Sequence, residues 1–258
     1  NETVLVIALQ DGFTMRRSLI VEDILLIEPA YKNKYPPIGL MKIAYFHRYI
    51  MHDYVRFAKG RLPEGLENKK WDRVYVTTLF TFEWENTKKA LQYALSVVKP
   101  GGKVFTGGIL ATLRPEWIAK EFPTVINNTG LLNHEGTLGL KGEECIDTLP
   151  LDYGILDDIK DEYKYPAEDA YFTYMTRGCG MNCTFCAVKT LEPTYEPYVS
   201  ISDSIKRIDK EFGPKRDLLL MDNNVLRSPK FDQIIDEIKA LGFEKGAKFK
   251  HPKTGRIV

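Results

Sequence analysis

Short apolar runs alternate with stretches of helical period along most of this chain. That alternation constrains its fold more than any other feature. "DILLIEP" (Asp23 to Pro29) is a nearly continuous apolar run closed by a proline, the pattern of a strand buried on both faces. "PPIGLMKIAYFHRYI" follows; its prolines suit the start of a helix, and Leu40, Ile43, Ala44 and His47 share one face. "DYVRFA" (Asp53 to Ala58) and "WDRVYVTTL" (Trp71 to Leu79) read as further strands, the second rich in β-branched and aromatic residues. "ENTKKALQYALSVVKPGG" sets Leu91, Ala94, Leu95 and Val98 at helical spacing and stops at Lys99, Pro100 and Gly101. "KVFTGG" is the next strand, "RPEWIAKEF" a helix with Pro115 in its first turn, and "TVINNTG" a closing strand. The expectation is an α/β chain whose residues 1–139 form a doubly wound, Rossmann-like parallel sheet, with ligands at the C-terminal ends of its strands.

Residues 140–168 break the rhythm. "LDDIKDEYKYPAED" is acidic and has no clean period, so it reads as a solvated, partly helical connection. The alternation resumes over 169–258 with "AYFTYMT", a strand by composition. Ile201, Ile205, Ile208 and Phe212 then mark a helix face, with Ser202 or Asp203 near its start and Gly213-Pro214 after its end. "DLLLMDNN" is another buried parallel strand. "SPKFDQIIDEIKALG" has Ser228 as N-cap, Pro229 at the first helical position, Gly242 as C-cap, and an apolar stripe of Phe231, Ile234, Ile235, Ile238 and Leu241. The order β–loop–α–β–α is what the first βα units of a partial, TIM-like barrel would show. Two such units neither cover a parallel sheet nor close a barrel, so more of this domain is expected beyond Val258. The chain opens on Asn1 rather than Met, which points to a missing or processed start. Residues 1–21 fit no element, and Arg16 and Arg17 read as solvated.

Composition narrows the class. Of 258 residues, 36 are basic and 35 acidic, so a net charge near +1 gives no electrostatic reason to expect nucleic acid or an anionic membrane as partner. No apolar run approaches the roughly 20 residues of a membrane span. "ETVLVIAL" is too short for one and lacks a basic leader and a cleavage site. Four cysteines, three of them clustered, do not make a disulfide framework in a chain of this size, and the expected location is the cytoplasm.

The cluster is "TRGCGMNCTFCAV", with spacing Cys179-x3-Cys183-x2-Cys186, directly after a predicted strand. Thiolates select iron–sulfur clusters or zinc. A structural zinc wants four protein ligands. The candidates for a fourth, Cys145, His47, His52, His134 and His251, lie at no finger-like spacing from the loop. A 4Fe–4S cluster on three cysteines leaves one iron open to a small molecule, and Gly178 and Gly180 let backbone wrap closely around it. A zinc or redox-cluster interaction module on the same cysteines is the competing reading. Cys145 reads as a lone, half-buried thiol.

CxxxCxxC after a strand, with Phe185 just before the last cysteine, resembles the signature of the radical S-adenosylmethionine superfamily. The resemblance implies that Cys179, Cys183 and Cys186 hold a 4Fe–4S cluster. Its open iron would chelate the amino and carboxylate groups of S-adenosylmethionine. One electron would then cleave the sulfonium to methionine and a 5′-deoxyadenosyl radical that abstracts hydrogen from substrate. It implies that Phe185 contacts the adenine, mainly through backbone, and that a small electron donor of flavodoxin or ferredoxin type serves the cluster. In that family the next strand ends in residues, often Gly-Gly-Glu, that bind the methionine amino group. Here "MDNN" takes the place, so Asp222 would accept from the ammonium and Asn223 or Asn224 would add hydrogen bonds. The plain alternative is that these polar residues only end a strand.

The stretches "PPIGLMKIAYF", "WDRVYVTTLFTF" and "VFTGGILATLRPEW" resemble the cobalamin-binding-type domain found upstream of one large class of these enzymes. That implies Gly107 and Gly108 let backbone approach the nucleotide tail of a cobalamin, and Thr112 matches a common threonine nearby. The chain has no Asp-x-His-x-x-Gly, and Leu110 stands where a histidine is often found. A Rossmann-like domain without cobalamin, serving substrate or partner, remains open beside it. His47 reads as a packed side chain, and His52 and His134 as exposed. Nothing here chooses between methyl or methylthio transfer and rearrangement.

Overall fold

The computed structural model describes residues 21–60, 62, 65–140, 145–159, 162–163, 165–252 and 254–258, so "ETVLVIAL" and the Arg16-Arg17 pair lie outside the described residues. Five parallel strands build the main sheet: β1 (Asp23–Glu28), β2 (Tyr54–Lys59), β3 (Trp71–Thr78), β4 (Val98–Gly108) and β5 (Ile126–Asn128), in the order β2-β1-β3-β4-β5. The order reverses between β1 and β3, which opens a crevice at the C-terminal ends of those strands. Ile24 and Leu26 of β1 belong to one apolar cluster, Leu25 and Ile27 to the other, and all four are buried. Both faces are covered, which is why the run reads as continuously apolar.

Helix α1 (Ile38–Tyr45) packs into the first cluster and continues as a π-helical turn over Phe46–Ile50. Helices α2 (Trp84–Val97), α3 (Ile109–Leu113) and α4 (Pro115–Glu121) bring Leu91, Ala94, Leu110 and Ile118 to the second. The α/β, Rossmann-like expectation therefore holds. His47 is a fully buried packed side chain, its Nδ1 2.7 Å from Asp53 Oδ2 and its Nε2 2.9 Å from the Tyr75 hydroxyl. One boundary differs. Lys99 to Gly101 do not separate helix from strand; β4 already begins at Val98, paired with Trp71, and the register shifts before Arg73 meets Lys103. Lys99 sits in this irregularity, where its Nζ pairs with Asp23 at 2.9 Å and with Asp72 at 2.7 Å.

The acidic connection is less solvated than its composition suggests. Tyr153, Ile155, Leu156 and Ile159 are buried in the first cluster. Asp158 accepts from Phe57 N at 2.8 Å and pairs with Arg56 at 2.9 Å, covering part of the free edge of β2.

A second, two-stranded parallel sheet joins β6 (Ala170–Thr173) to β7 (Asp217–Leu220) through α5 (Val188–Leu191) and α6 (Ser202–Phe212), with α7 (Phe231–Ala240) after β7. Phe172, Met175, Ile205, Ile208 and Ile234 share one cluster with Ile24 and Met41 of the first sheet's side. Helix α6 has no side-chain cap of its own. Glu237 of α7 supplies it, accepting from Ile201 N and Ser202 N at 3.0 Å each, from Ser202 Oγ at 2.5 Å and from Ser200 Oγ at 2.6 Å. Helix α7 itself starts two residues after Pro229; Ser228 Oγ accepts from Lys230 N at 3.0 Å in the turn before it. Among the described residues no helix is long and apolar enough to cross a membrane.

Candidate functional site

The cysteine loop leaves the C-terminal end of β6, and the segment after β7 holds it. Asp222 Oδ1 accepts from Thr176 N and Thr176 Oγ1 at 2.5 Å each and from Met175 N at 3.1 Å. Arg177 exchanges two backbone hydrogen bonds with Glu196, at 3.0 and 2.9 Å. Gly178 N donates to Glu192 Oε2 at 2.6 Å, and Asn223 Nδ2 donates to the same oxygen at 3.1 Å. Gly178 has φ +66°, and a Cβ there would lie 2.4 Å from Thr194 O, so the loop turns where only glycine fits. Asn224 Nδ2 lies 3.7 Å from Cys179 Sγ as a hydrogen-bond donor. Asp222, Asn223 and Asn224 thus each grip the loop, directly or through Glu192.

Cys179 is half-buried, Cys183 and Cys186 are exposed, and the Phe185 ring is 92% exposed. Cys186 N donates to Cys183 O at 3.2 Å. Among the described residues no three His, Cys, Asp or Glu side chains converge on a point fit for a metal ion. The donor set itself, three thiols on one loop whose first turn is fixed, has the soft chemistry of an iron–sulfur ligand set.

A cavity of about 700 Å³ lies between this loop and the main sheet. Glu28, Thr78, Gly107, Gly108 and Asn128 line it from the C-terminal ends of the strands, and Tyr174, Arg177, Glu192, Met221 and Asn223 from the opposite side. The glycine pair therefore stands at the sheet crevice. Thr78 Oγ1 donates to Gly107 O at 2.9 Å and accepts from Ala111 N at 3.0 Å. Gly108 has φ +102°, and a Cβ there would lie 2.3 Å from Thr78 O. Thr112 Oγ1 donates to Gly108 O at 2.8 Å and accepts from Gly130 N at 2.9 Å, tying β4 to the turn after β5. Leu110 is fully buried in the second apolar cluster.

Lys42, Asp147, Arg177 and Glu192 of the cavity wall are paired among themselves. Lys42 reaches Asp147 at 2.9 Å, Arg177 reaches Asp147 at 3.2 Å and Glu192 at 3.5 Å, and the Arg177 guanidinium lies 4.3 Å from the Tyr174 ring centroid. Burial opposes the charge on Asp147, but Lys42 and Arg177 outweigh it and hold its pKa below the usual carboxylate value. Burial pulls the Lys42 ammonium down, against Asp147. Glu28 is buried beside Lys59 at 2.7 Å and Asn33 at 2.6 Å, and burial still pushes its pKa up. Sequence reading missed Lys42, Asp147 and Glu192. Only the place of Arg177, two residues before Cys179, pointed to any of this network.

The molecule is thus a Rossmann-like parallel-sheet domain packed against βα units that carry a three-cysteine loop, with a cavity between the two. No protein-family model matches the chain and no curated protein matches it in sequence. Among solved structures it is similar to the cobalamin-dependent S-adenosylmethionine radical enzyme OxsB. With aqua-cobalamin and S-adenosylmethionine bound, the TM-score is 0.59 at 13% identity, over 94% of this chain and 41% of that one. With aqua-cobalamin alone, it is 0.56 at 14% identity, over 90% and 38%. The likeness is one of fold, and the chain spans about two-fifths of the enzyme's length.

Proposed function

We propose that this chain carries the cluster-binding and cofactor-binding parts of a radical S-adenosylmethionine enzyme. The observation that carries the reading is the CxxxCxxC loop at the C-terminal end of β6, with Arg177 at its start and Glu192 just after it on the cavity wall opposite the crevice of the main sheet. Cys179, Cys183 and Cys186 would hold a 4Fe–4S cluster, which when bound supplies the electron that cleaves S-adenosylmethionine to methionine and a 5′-deoxyadenosyl radical. Asp222 would receive the cosubstrate ammonium. Among the described residues its Oδ2 accepts only from Met175 N, at 3.2 Å, and keeps lone-pair capacity. Phe185 would offer backbone to the adenine, and Asn223 or Asn224 further hydrogen bonds. The cavity, with Gly107 and Gly108 at its sheet side, would take part of a cobalamin at the crevice of the main sheet. A small flavodoxin- or ferredoxin-type donor would reduce the cluster.

The test is anaerobic reconstitution with iron and sulfide. The expected outcome is about four irons and four sulfides per chain, as the proposed cluster type requires, and dithionite-dependent release of 5′-deoxyadenosine. One zinc with no iron or sulfide would instead make the loop a structural module. A loaded cluster in a protein extended past Val258 that never cleaves S-adenosylmethionine would remove the enzymatic claim.

A further inference from the structure

We propose that Asn224 is a positioning residue that sets the reduction potential of the cluster through the sulfur of Cys179. The inference rests on the proposed function and adds to it a role separate from cosubstrate binding. The contact is an amide N–H directed at a ligand sulfur, Nδ2 to Sγ at 3.7 Å. Among the described residues neither Cys183 nor Cys186 has a side-chain donor on its sulfur. Those two thiols are exposed, whereas Cys179 is half-buried. Water screens the two outer sulfurs, so a fixed protein dipole acts most strongly at Cys179.

Asn224 is well placed to deliver that dipole. Its carbonyl accepts from Arg227 N at 3.3 Å, opening the 3₁₀ turn Val225–Arg227. The two residues before it are anchored to Thr176 and Glu192. Thiolate sulfurs carry more negative charge in the reduced cluster than in the oxidised one. An N–H donated to such a sulfur therefore stabilises the reduced form more and raises the potential. Removing the donor lowers it, and replacing it with a carboxylate lowers it further.

The experiment is a redox titration of the reconstituted full chain, followed by the electron paramagnetic resonance of the reduced cluster. S-adenosylmethionine is left out so that any effect on its binding cannot contribute. Asn224→Leu should disfavour reduction about tenfold, a shift of about 59 mV for a one-electron couple. Asn224→Asp, which keeps the shape, should shift it further the same way, and Asn224→Gln should recover part of the loss. Iron per chain should match the parent throughout. Either variant loading a full cluster with an unchanged potential overturns the inference. If Asn224→Leu fails to load, Asn224→Asp decides alone by the same criterion. A parent chain that assembles no 4Fe–4S cluster overturns the proposed function itself, a result readable before any variant is compared.

Discussion

Asp222 and Thr176 lie 46 residues apart and are joined twice, the carboxylate oxygen Oδ1 taking both the backbone N–H and the hydroxyl of Thr176 at 2.5 Å. The segment after β7 thereby fixes the direction in which the cysteine loop departs from β6. Thr176 and Met175 are both buried, so neither N–H has water to turn to. In Asp222→Ala each orphaned donor costs about 1–3 kcal/mol. That variant should unfold at lower temperature and retain less iron after reconstitution. Asp222→Asn keeps an acceptor oxygen and should fall between. A variant that loads iron fully but binds S-adenosylmethionine weakly would mark Asp222 as an ammonium ligand as well. Full iron loading and unchanged unfolding in Asp222→Ala would remove the clamp.

Glu237 caps a helix to which it does not belong. Burial opposes its charge, but the hydroxyls of Ser200, Ser202 and Tyr198 together hold its pKa below the ordinary glutamate value. Glu237→Ala should destabilise by about 2 kcal/mol, since hydrogen bonds to a charged group are worth about 1.5–3 kcal/mol. In a chain of this size that is roughly a 4–8 °C drop in Tm. The sign with pH follows from the lowered pKa. The stabilisation is complete above the usual glutamate range and disappears as pH falls through the folded value. Calorimetry at pH 7 and at a pH below the ordinary glutamate pKa should show the gap between parent and variant narrowing in acid.

The fold was legible because its strands and helices carry their own periods. Leu25 and Ile27 face one cluster and Ile24 and Leu26 the other, so the "DILLIE" run could only be a strand covered on both sides. The cysteine loop was legible because its ligand candidates lie within eight residues. What holds that loop was not, because Asp222, Glu192 and Asn224 act across separations of 46, 14 and 45 residues. No period or motif encodes those pairings. The same is true of Glu237 and Ser202, where the expected local cap is replaced by a carboxylate 35 residues away. The connection misled for another reason. Its acidic residues, among them the exposed Asp157, Glu162 and Glu168, interleave with buried apolar ones at no regular period, so composition reported the outer face and hid Tyr153 and Ile155.

Asp152 gives a pH dependence of the opposite sign. Burial pushes its carboxyl up to about 6, against the Arg48 guanidinium at 2.8 Å and the Gly154 N–H at 2.8 Å. With the folded pKa raised, the native state holds the extra proton between the ordinary aspartate value and about 6. Stability contributed by this group therefore falls as pH rises through that window and stays lower above it. Asp152→Asn cannot titrate. The difference in Tm between variant and parent should move in the variant's favour from pH 4.5 to pH 7. A pH-independent difference would place the Asp152 carboxyl outside that window.

Gly107 and Gly108 are neighbours with different constraints, and substitution separates packing from ligand binding. A Cβ on Gly108 would collide with Thr78 O, at 2.3 Å, in a backbone conformation with φ +102°. Gly108→Ala should therefore strain the end of the β3–β4 pair and destabilise the fold by about 1–3 kcal/mol. Gly107 needs no such conformation. Its Cβ would meet Asn128 O at 3.1 Å, which a shift of a few tenths of an ångström relieves. Gly107→Ala should keep nearly the parent Tm while placing a methyl group where β4 borders the cavity. If that crevice takes cobalamin by close approach of backbone, aquacobalamin titrated into Gly107→Ala and followed by its visible spectrum should bind more weakly than in the parent. Equal affinity in both would mean that the glycine pair serves only the β3–β4 contact, as the Gly108 geometry already requires.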